Sequence, residues 1–547
     1  MPLSRREWLS VSSSAFLQAP ARRPNVLILI TDDQGYGDLS LHGNPILPTP
    51  NLDSIGRDGV QFTQFQVCPV CSPTRASLLT GRYNYRTGVV DTYLGRSMMY
   101  PDEVTMAEYL AAGGYRTGIF GKWHLGDCYP QRAIDQGFQE AVICKGGGVG
   151  QPSDPPANSY FDPILQRNGV EKKYRGYCTD IFFDEAMGFI SRHRNEPWFC
   201  YLPTNAPHDP LEIAGEYVRP FQGKGLDENT AKTYGMVANL DWNAGRLLAK
   251  LRELDLERDT ILIYLTDNGP QRDRFNAGMR GRKGTVYQGG IRVPFFLRFP
   301  RAIQAGTKID RAAAHIDVLP TILELCGVAV KKGQPAFDGR SLAALLNGEA
   351  ARWTDRTLFT QWHRGDQPVL FRDCAARTQR YKLVNGKELY DLTADPGERN
   401  DIAAAHPEIA AQLRKETEAW FNDVSSTRGY APPRIQIGAP QETLTILTRQ
   451  DWRGPKASWE ADGIGHWEVQ FVRTAKYDFR CRMPATTEAG KVTLRVGKQS
   501  VDLPIERGAT QAFFAGVRLP AGPDRVEATI ETGALQRGPH YVDVKRR

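Results

Sequence analysis

The sequence predicts an α/β chain followed by a smaller α+β region and an all-β region. Three observations carry this. Asn25-Val26-Leu27-Ile28-Leu29-Ile30-Thr31 is a continuous apolar run closed by Asp32-Asp33, the mark of a strand covered on both faces. Thr260–Thr266 (TILIYLT) repeats the pattern and closes in Asp267-Asn268-Gly269. Beyond residue 440 the triplets Trp467/Val469/Phe471, Tyr477/Phe479/Cys481, Val492/Leu494/Val496, Val501/Leu503/Ile505 and Val526/Ala528/Ile530 alternate with period two, which predicts short strands of a β-sandwich.

Between the two apolar runs, helical periodicity predicts helices over 106–112, 179–190 and 231–251, with another opening at Asp317 and stopped by Gly327. Residues 144–177 are rich in Gly, Pro and Asn, including Gly146-Gly147-Gly148. No lysine-bearing helix start follows, so a long surface loop bordering a cleft is predicted rather than a phosphate cradle. After about residue 347, segments 359–384 and 388–392 predict antiparallel strands. Residues 406–423 predict a helix with Ile409, Leu413, Thr417 and Trp420 on one face, and residues 432–440 a linker. The expected division is 22–347 for an α/β domain, 348–430 for the α+β subdomain and 438–547 for the β-sandwich-like domain. The last could bind carbohydrate or brace its neighbour; bracing is the favoured reading, because fold alone does not assign function.

Composition narrows the class. At 547 residues, 41% hydrophobic and 24% charged, the chain reads as a soluble protein of two or three domains with no transmembrane anchor. The net charge of +7 comes without a dense Lys/Arg run, which argues against nucleic acid as a partner. Nine cysteines are scattered along the chain, and the Cys68/Cys71 C-x-x-C has no second pair at zinc-ligand spacing. Ser4-Arg5-Arg6-Glu7-Trp8-Leu9, a weakly apolar stretch and small residues at 19–21 read as a short twin-arginine export signal over 1–21. The mature protein would then be periplasmic or extracellular; a basic N-terminal tail is the alternative.

Open α/β sheets place their sites beyond the carboxyl ends of strands. Asp32, Asp33, Asp267 and Asn268 would all emerge there, and their hard oxygens favour Ca²⁺, or Mg²⁺ in its place, over zinc or copper. Cys71-Ser72-Pro73-Thr74-Arg75 opens a predicted helix, with Pro73 in the first turn. Cys71 would sit at the helix N-terminus beside a guanidinium, a natural place for an oxyanion. An isolated C-x-P-x-R is equally well a plain helix start that holds a thiol. Alternation would put Lys122 and His124 on one side of an extended segment.

Cys71-Ser72-Pro73-Thr74-Arg75 followed by Leu78-Leu79-Thr80-Gly81-Arg82 resembles the signature of the type I sulfatases, formylglycine-dependent members of the alkaline phosphatase superfamily. Residues 114–126, with Lys122-Trp123-His124, resemble that family's second signature. Ala206-Pro207-His208-Asp209-Pro210 and Gly281-Arg282-Lys283-Gly284 match further segments, and the resemblance spans residues 24–423. It implies an alkaline-phosphatase-like mixed sheet flanked by helices. It implies that a formylglycine-generating enzyme oxidises Cys71 during maturation, giving an aldehyde hydrate as nucleophile. It also implies Ca²⁺ on Asp32, Asp33, Asp267, Asn268 and residue 71. Arg75, Lys122 and Lys283 would face the sulfate, with His208 and Lys283 at the leaving oxygen. Asp267 would take the attacking proton, and His124 would be the base that collapses the sulfated intermediate. Thr74 stands where many relatives have serine, and Gln288 where they often have glutamate. The expected activity is hydrolysis of a sulfate monoester, on a carbohydrate first and an aryl sulfate second. The rivals are a phosphonate monoester hydrolase or phosphodiesterase of the same superfamily, and a catalytically silent glycan-binding protein. Loops 91–99, 144–177 and 362–364 are candidate substrate contacts, with ordinary surface the favoured reading of each.

Overall fold

The computed structural model describes residues 23–547; the export-signal reading of residues 1–21 lies outside them. Ten strands form the central sheet: β1 (Asn25–Thr31), β2 (Val60–Phe62), β3 (Arg116–Lys122), β4 (Glu140–Cys144), β5 (Ile164–Arg167), β6 (Val170–Lys173), β7 (Trp198–Pro203), β8 (Thr260–Thr266), β9 (Phe295–Arg298) and β10 (Thr307–Ile309). Their order across the sheet is β10-β2-β9-β8-β1-β7-β3-β4-β5-β6. The five central strands, β8, β1, β7, β3 and β4, run parallel, while β9, β5 and β6 join antiparallel. The sheet is therefore mixed. Its parallel centre explains why β1, β7 and β8 carry unbroken apolar runs, for every residue in them is buried.

Helices cover both faces. On one side lie α1 (Cys71–Thr80), α2 (Met106–Ala112) and α5 (Val318–Cys326); on the other lie α3 (Cys178–Arg192) and α4 (Glu228–Glu253). Their ends follow local chemistry. Thr105 and Glu108 form a capping box on α2, and the Asp227 side chain accepts the Thr230 N–H at the start of α4. Gly327, at φ 61°, ends α5 where the sequence put the stop. What positions the site is register. β1 and β8 pair residue for residue up to Thr31 opposite Thr266, so Asp32 and Asp267 leave the sheet side by side.

Strands Leu358–Gln361, Cys374–Arg377, Tyr381–Val384 and Glu388–Asp391 make an antiparallel sheet packed against α6 (Pro407–Ser426). The buried face of α6 is Leu413, Thr417, Trp420 and Val424. It therefore runs one turn beyond the predicted face, and Ile409 is only half-buried.

The C-terminal region forms two further sheets around one core. One orders Ile435–Ile437, His466–Phe471, Gly522–Thr532, Gly490–Val496 and Gln499–Ile505, and the other Leu444–Thr448, Tyr541–Arg546, Ala475–Arg482 and Gln511–Leu519. Four of the five predicted alternating triplets are fully buried; in the fifth only Ile505 is, because its strand has a single hydrogen-bonded neighbour. Residues 432–440 are not a free linker. Ile435 and Ile437 are buried and pair in parallel with Val469 and Phe471. This core also takes in Leu94, Met98 and Cys128 of the α/β region, so the β-sandwich is built onto the loops that border the site.

Gly269, directly after Asn268, lies where an added Cβ would stand 1.9 Å from the Gly289 carbonyl oxygen. Both partners are backbone and neither can swing aside. Gly269→Ala is expected to destabilise the protein by about 3 kcal/mol, read as a lowered thermal unfolding midpoint.

Candidate active site

The site is assembled at the C-terminal edge of the parallel strands. Val70, extended at φ −147°, delivers the chain into α1, whose ten residues are all buried. Cys71 is the first helical residue and 2% exposed. Burial pushes its thiol up, against the pull of Lys122 and Lys283. Arg75 is four residues on and shares that helix face. Its Nε and Nη2 donate to Asp267 Oδ2 at 3.1 and 2.7 Å, and Nη1 donates to the Lys122 carbonyl at 2.9 Å.

The acids meet from two strand ends. Lys122 Nζ lies 2.5 Å from Asp32 Oδ2, and Lys283 Nζ lies 2.6 Å from Asp33 Oδ1. Asp33 takes a left-handed backbone at φ 64°. Arg274, clamped on the Asp38 carboxylate, donates to the Asp33 carbonyl at 2.9 Å. Asn268 Nδ2 donates to Asp33 Oδ1 at 2.8 Å. Burial raises Asp32, but Lys122, His208, Arg75 and Lys283 outweigh it and hold the carboxyl well below its usual range. Burial and the neighbouring Asp32 charge push Asp267 up, to about 7.

Two oxygens stand out because they are buried and lack any hydrogen-bond partner: Asp32 Oδ1 and Asn268 Oδ1. Ligand atoms of Asp32, Cys71 and Asp267 all lie within 4.8 Å of one another, as do those of Asp32, Asp33 and His208. An oxygen-rich, acid-dense cluster with unpartnered lone pairs fits a hard divalent cation.

Lys122 ends β3, and His124 follows at φ 60°. Both reach the site, but by a turn after the strand rather than by the predicted alternation along it. His124 Nε2–H donates to the Thr92 carbonyl at 2.7 Å, while Nδ1 is buried and unpartnered. Burial, then Lys122 and Arg75, hold this imidazole well below its ordinary pKa. A Cβ at Gly147 would stand 2.3 Å from Gln151 Oε1 and 3.1 Å from the His124 ring, so the triple-glycine loop packs directly on the imidazole. His208 presents Nε2 3.8 Å from Asp33 Oδ2 and donates from Nδ1 to the Asp209 carbonyl at 2.7 Å.

Above these groups opens a cavity of about 380 Å³. Cys71, His124, His208 and Lys283 line it, together with Thr92, Tyr93, Gly147, Gln151 and Arg364 from the three candidate loops. Three contributors were not foreseen. Arg274 fixes the Asp33 turn. Gln450 donates to the Thr92 carbonyl at 2.9 Å and to Ser97 Oγ at 3.0 Å, with its Nε2 3.4 Å from His124 Nε2. Trp459 lines the cavity wall. No motif marks them; the last two come from the β-sandwich. Cys68 faces away, 3.3 Å from His315 Nε2, so the C-x-x-C is no redox pair, and all nine cysteines are free.

Residues 24–328 match the sulfatase family, and residues 282–423 match the C-terminal region of N-sulphoglucosamine sulphohydrolase. Human arylsulfatase A is 31% identical over 462 residues, covering 76% of this chain and 87% of its own length. N-acetylgalactosamine-6-sulfatase of Canis lupus familiaris is 32% identical over 390 residues, covering 65% and 72%. The crystal structure of Ps i-CgsB in complex with k-i-k-neocarrahexaose superposes with a TM-score of 0.68 at 27% identity, covering 74% of this chain and 94% of that one. The chain belongs to the sulfatase family of the alkaline phosphatase superfamily and is a sulfuric ester hydrolase.

Proposed function

We propose that this sulfatase hydrolyses sulfate monoesters of carbohydrates, with formylglycine made from Cys71 and a bound Ca²⁺, or Mg²⁺ in its place. One observation carries the reading: Asp32, Asp267, Arg75 and Lys122, all fully buried, converge on the helix start that holds Cys71. Asp32, Asp33, Asp267 and Asn268 would hold the cation together with the oxidised residue 71. The carbohydrate reading draws support from the cavity lining. Thr92, Gln151, Asp209 and Gln271 set polar groups around the aromatic Tyr93 and Trp459, a mixture suited to a polyhydroxyl ring and poor for a sterol. A formylglycine-generating enzyme would act during maturation, and the twin-arginine reading of residues 1–21 would send the protein out of the cytoplasm. We place the α/β domain at 22–347, the α+β subdomain at 348–430 and the start of the accessory domain at Ile435.

When present, the aldehyde hydrate supplies a hydroxyl nucleophile and the divalent ion supplies positive charge at the sulfate oxygens. The rest is the work of the chain's side chains. Lys122 Nζ and Lys283 Nζ, both raised above the ordinary lysine pKa against the cost of burial, keep positive charge where the non-bridging oxygens settle. Arg75 fixes Asp267 through two donors, and Asp267 would take the proton of the attacking hydroxyl. His208 or Lys283, or both, would protonate the leaving oxygen; burial lowers the His208 imidazole despite the pull of Asp33 and Asp32, whereas Lys283 stays charged. His124 is the later base. Its Nε2–H is committed to Thr92, so the bare lone pair is on Nδ1, and the low pKa keeps the ring neutral. Gln450 donates to the same carbonyl and so steadies the group that His124 is held by. The complete ring of cations argues against a silent binding scaffold. Turnover of p-nitrophenyl sulfate above p-nitrophenyl phosphate and phenylphosphonate esters separates the sulfatase from its superfamily rivals.

Cys71→Ser is expected to cut turnover of p-nitrophenyl sulfate by about 1,000-fold or more. Mass spectrometry of the peptide around residue 71 from a host with the modifying enzyme should show a thiol-to-aldehyde loss; normal turnover by the serine variant would defeat the mechanism. Chelator-treated enzyme should lose activity and regain it with Ca²⁺. At a hundred-fold excess over Kd the ion should stabilise the fold by about 2.7 kcal/mol, read by thermal melting. Gln450→Ala should lower kcat by about ten-fold with a smaller change in KM, the usual cost of losing a group that orients a catalytic side chain.

A further inference from the structure

Trp459 lies in the loop between strands Leu444–Thr448 and His466–Phe471 of the β-sandwich, yet it forms a wall of the catalytic cavity. On its other side lies a second cavity of about 310 Å³. Trp459 and Gln151 line both, so the two spaces adjoin across this pair. The loop is held in place. Arg449, 3% exposed, donates to the carbonyls of Pro539 at 3.1 Å, Gly538 at 2.8 Å and Glu460. The Ile464 N–H closes on the Lys456 carbonyl at 3.0 Å. The indole meets the Tyr93 ring edge-on with centroids 5.1 Å apart, and the Arg364 guanidinium covers that ring at 4.4 Å. The wall is thus formed before any ligand arrives, which lowers the cost of binding against it.

The second cavity is lined by Pro155, Pro156 and Tyr541, with His540 at its polar side. Apolar faces joined to a few hydrogen-bonding groups suit a pyranose, whose C–H face packs on rings while its hydroxyls find donors and acceptors. The sulfate group needs none of this, because its charge is met by the buried cations below. We propose that Trp459 is a specificity-determining residue between two adjoining sugar sites. The sulfated sugar occupies the catalytic cavity, and the next sugar of the chain occupies the second. The enzyme therefore acts on sulfated oligosaccharides in preference to monosaccharide sulfates, a conclusion that rests on the carbohydrate reading above.

The test compares kcat/KM for enzyme with residue 71 converted. Its substrates are p-nitrophenyl sulfate, size-defined tetrasaccharides of chondroitin sulfate, heparan sulfate and carrageenan, and the matching monosaccharide sulfates. At least one tetrasaccharide should exceed its monosaccharide by about ten-fold or more. Trp459→Ala should cut that tetrasaccharide rate about ten-fold further than the p-nitrophenyl sulfate rate, and Trp459→Phe should recover most of the loss. His540→Ala, at a residue that lines the second cavity but not the catalytic one, should also weaken the tetrasaccharide more than the small ester. The proposal is overturned if no tetrasaccharide is preferred, or if Trp459→Ala lowers all substrates alike. Absence of p-nitrophenyl sulfate turnover by the converted wild type would instead defeat the sulfatase mechanism, and this proposal with it.

Discussion

Lys122 on Asp32, Arg75 on Asp267 and Lys283 on Asp33 place three cations and three carboxylates almost wholly out of water. Taking an ion out of water costs several kcal/mol unless a partner meets it closely, and removing one member strands the other. The arrangement is therefore all or nothing. It draws on the ends of β1, β3 and β8, on α1 and on the loop that carries Lys283, and each must arrive for the others to be tolerated. The Arg274–Asp38 pair extends the same logic to the turn that carries Asp33. The divalent cation and anionic ester proposed above would enter such a cluster with charges that offset each other, so catalysis and charge balance would make the same demand on the fold.

Much of this was legible in the sequence because it is local. Apolar runs that end in acids mark parallel strands, the C-x-P-T-R turn marks a helix start, and Gly327 and the Thr105/Glu108 pair mark helix ends. The ligand and cation residues follow from motifs, since each motif is short and sits at a strand or helix terminus. The remainder depends on contacts that no local pattern encodes. Gln450 and Trp459 occupy a loop in a domain whose alternating strands announce a sandwich and say nothing about which edge meets its neighbour. The strand Ile435–Ile437 was hidden by the prolines around it, which read as a linker. The geometry at His124 could not follow from alternation, because β3 stops at Lys122 and the chain turns left-handed two residues later.

The β-sandwich is packed directly onto the α/β region. Its core is continuous with Leu94, Met98 and Cys128. The Gly95 N–H donates to the Gln450 carbonyl at 2.8 Å, and the Gln436 N–H to the Tyr129 carbonyl at 3.0 Å. These contacts carry the sandwich to the rim of the cavity that Cys71 lines. It supplies two groups there: Gln450 donates to the Thr92 carbonyl, and Trp459 lines both cavities.

The pairing of β1 with β8 has a kinetic side. Asp32 and Asp267 are neighbours in space and 235 positions apart in the chain, so the acid cluster is a highly non-local feature of the molecule. Contacts of such high sequence separation form slowly, because a long loop must close before they are rewarded. A nascent chain cannot own the site until β8 has been synthesised and has slotted beside β1 in the right register. The divalent-ion affinity proposed for this cluster would then be a late reporter of native topology, silent in collapsed forms that already hold most of their secondary structure.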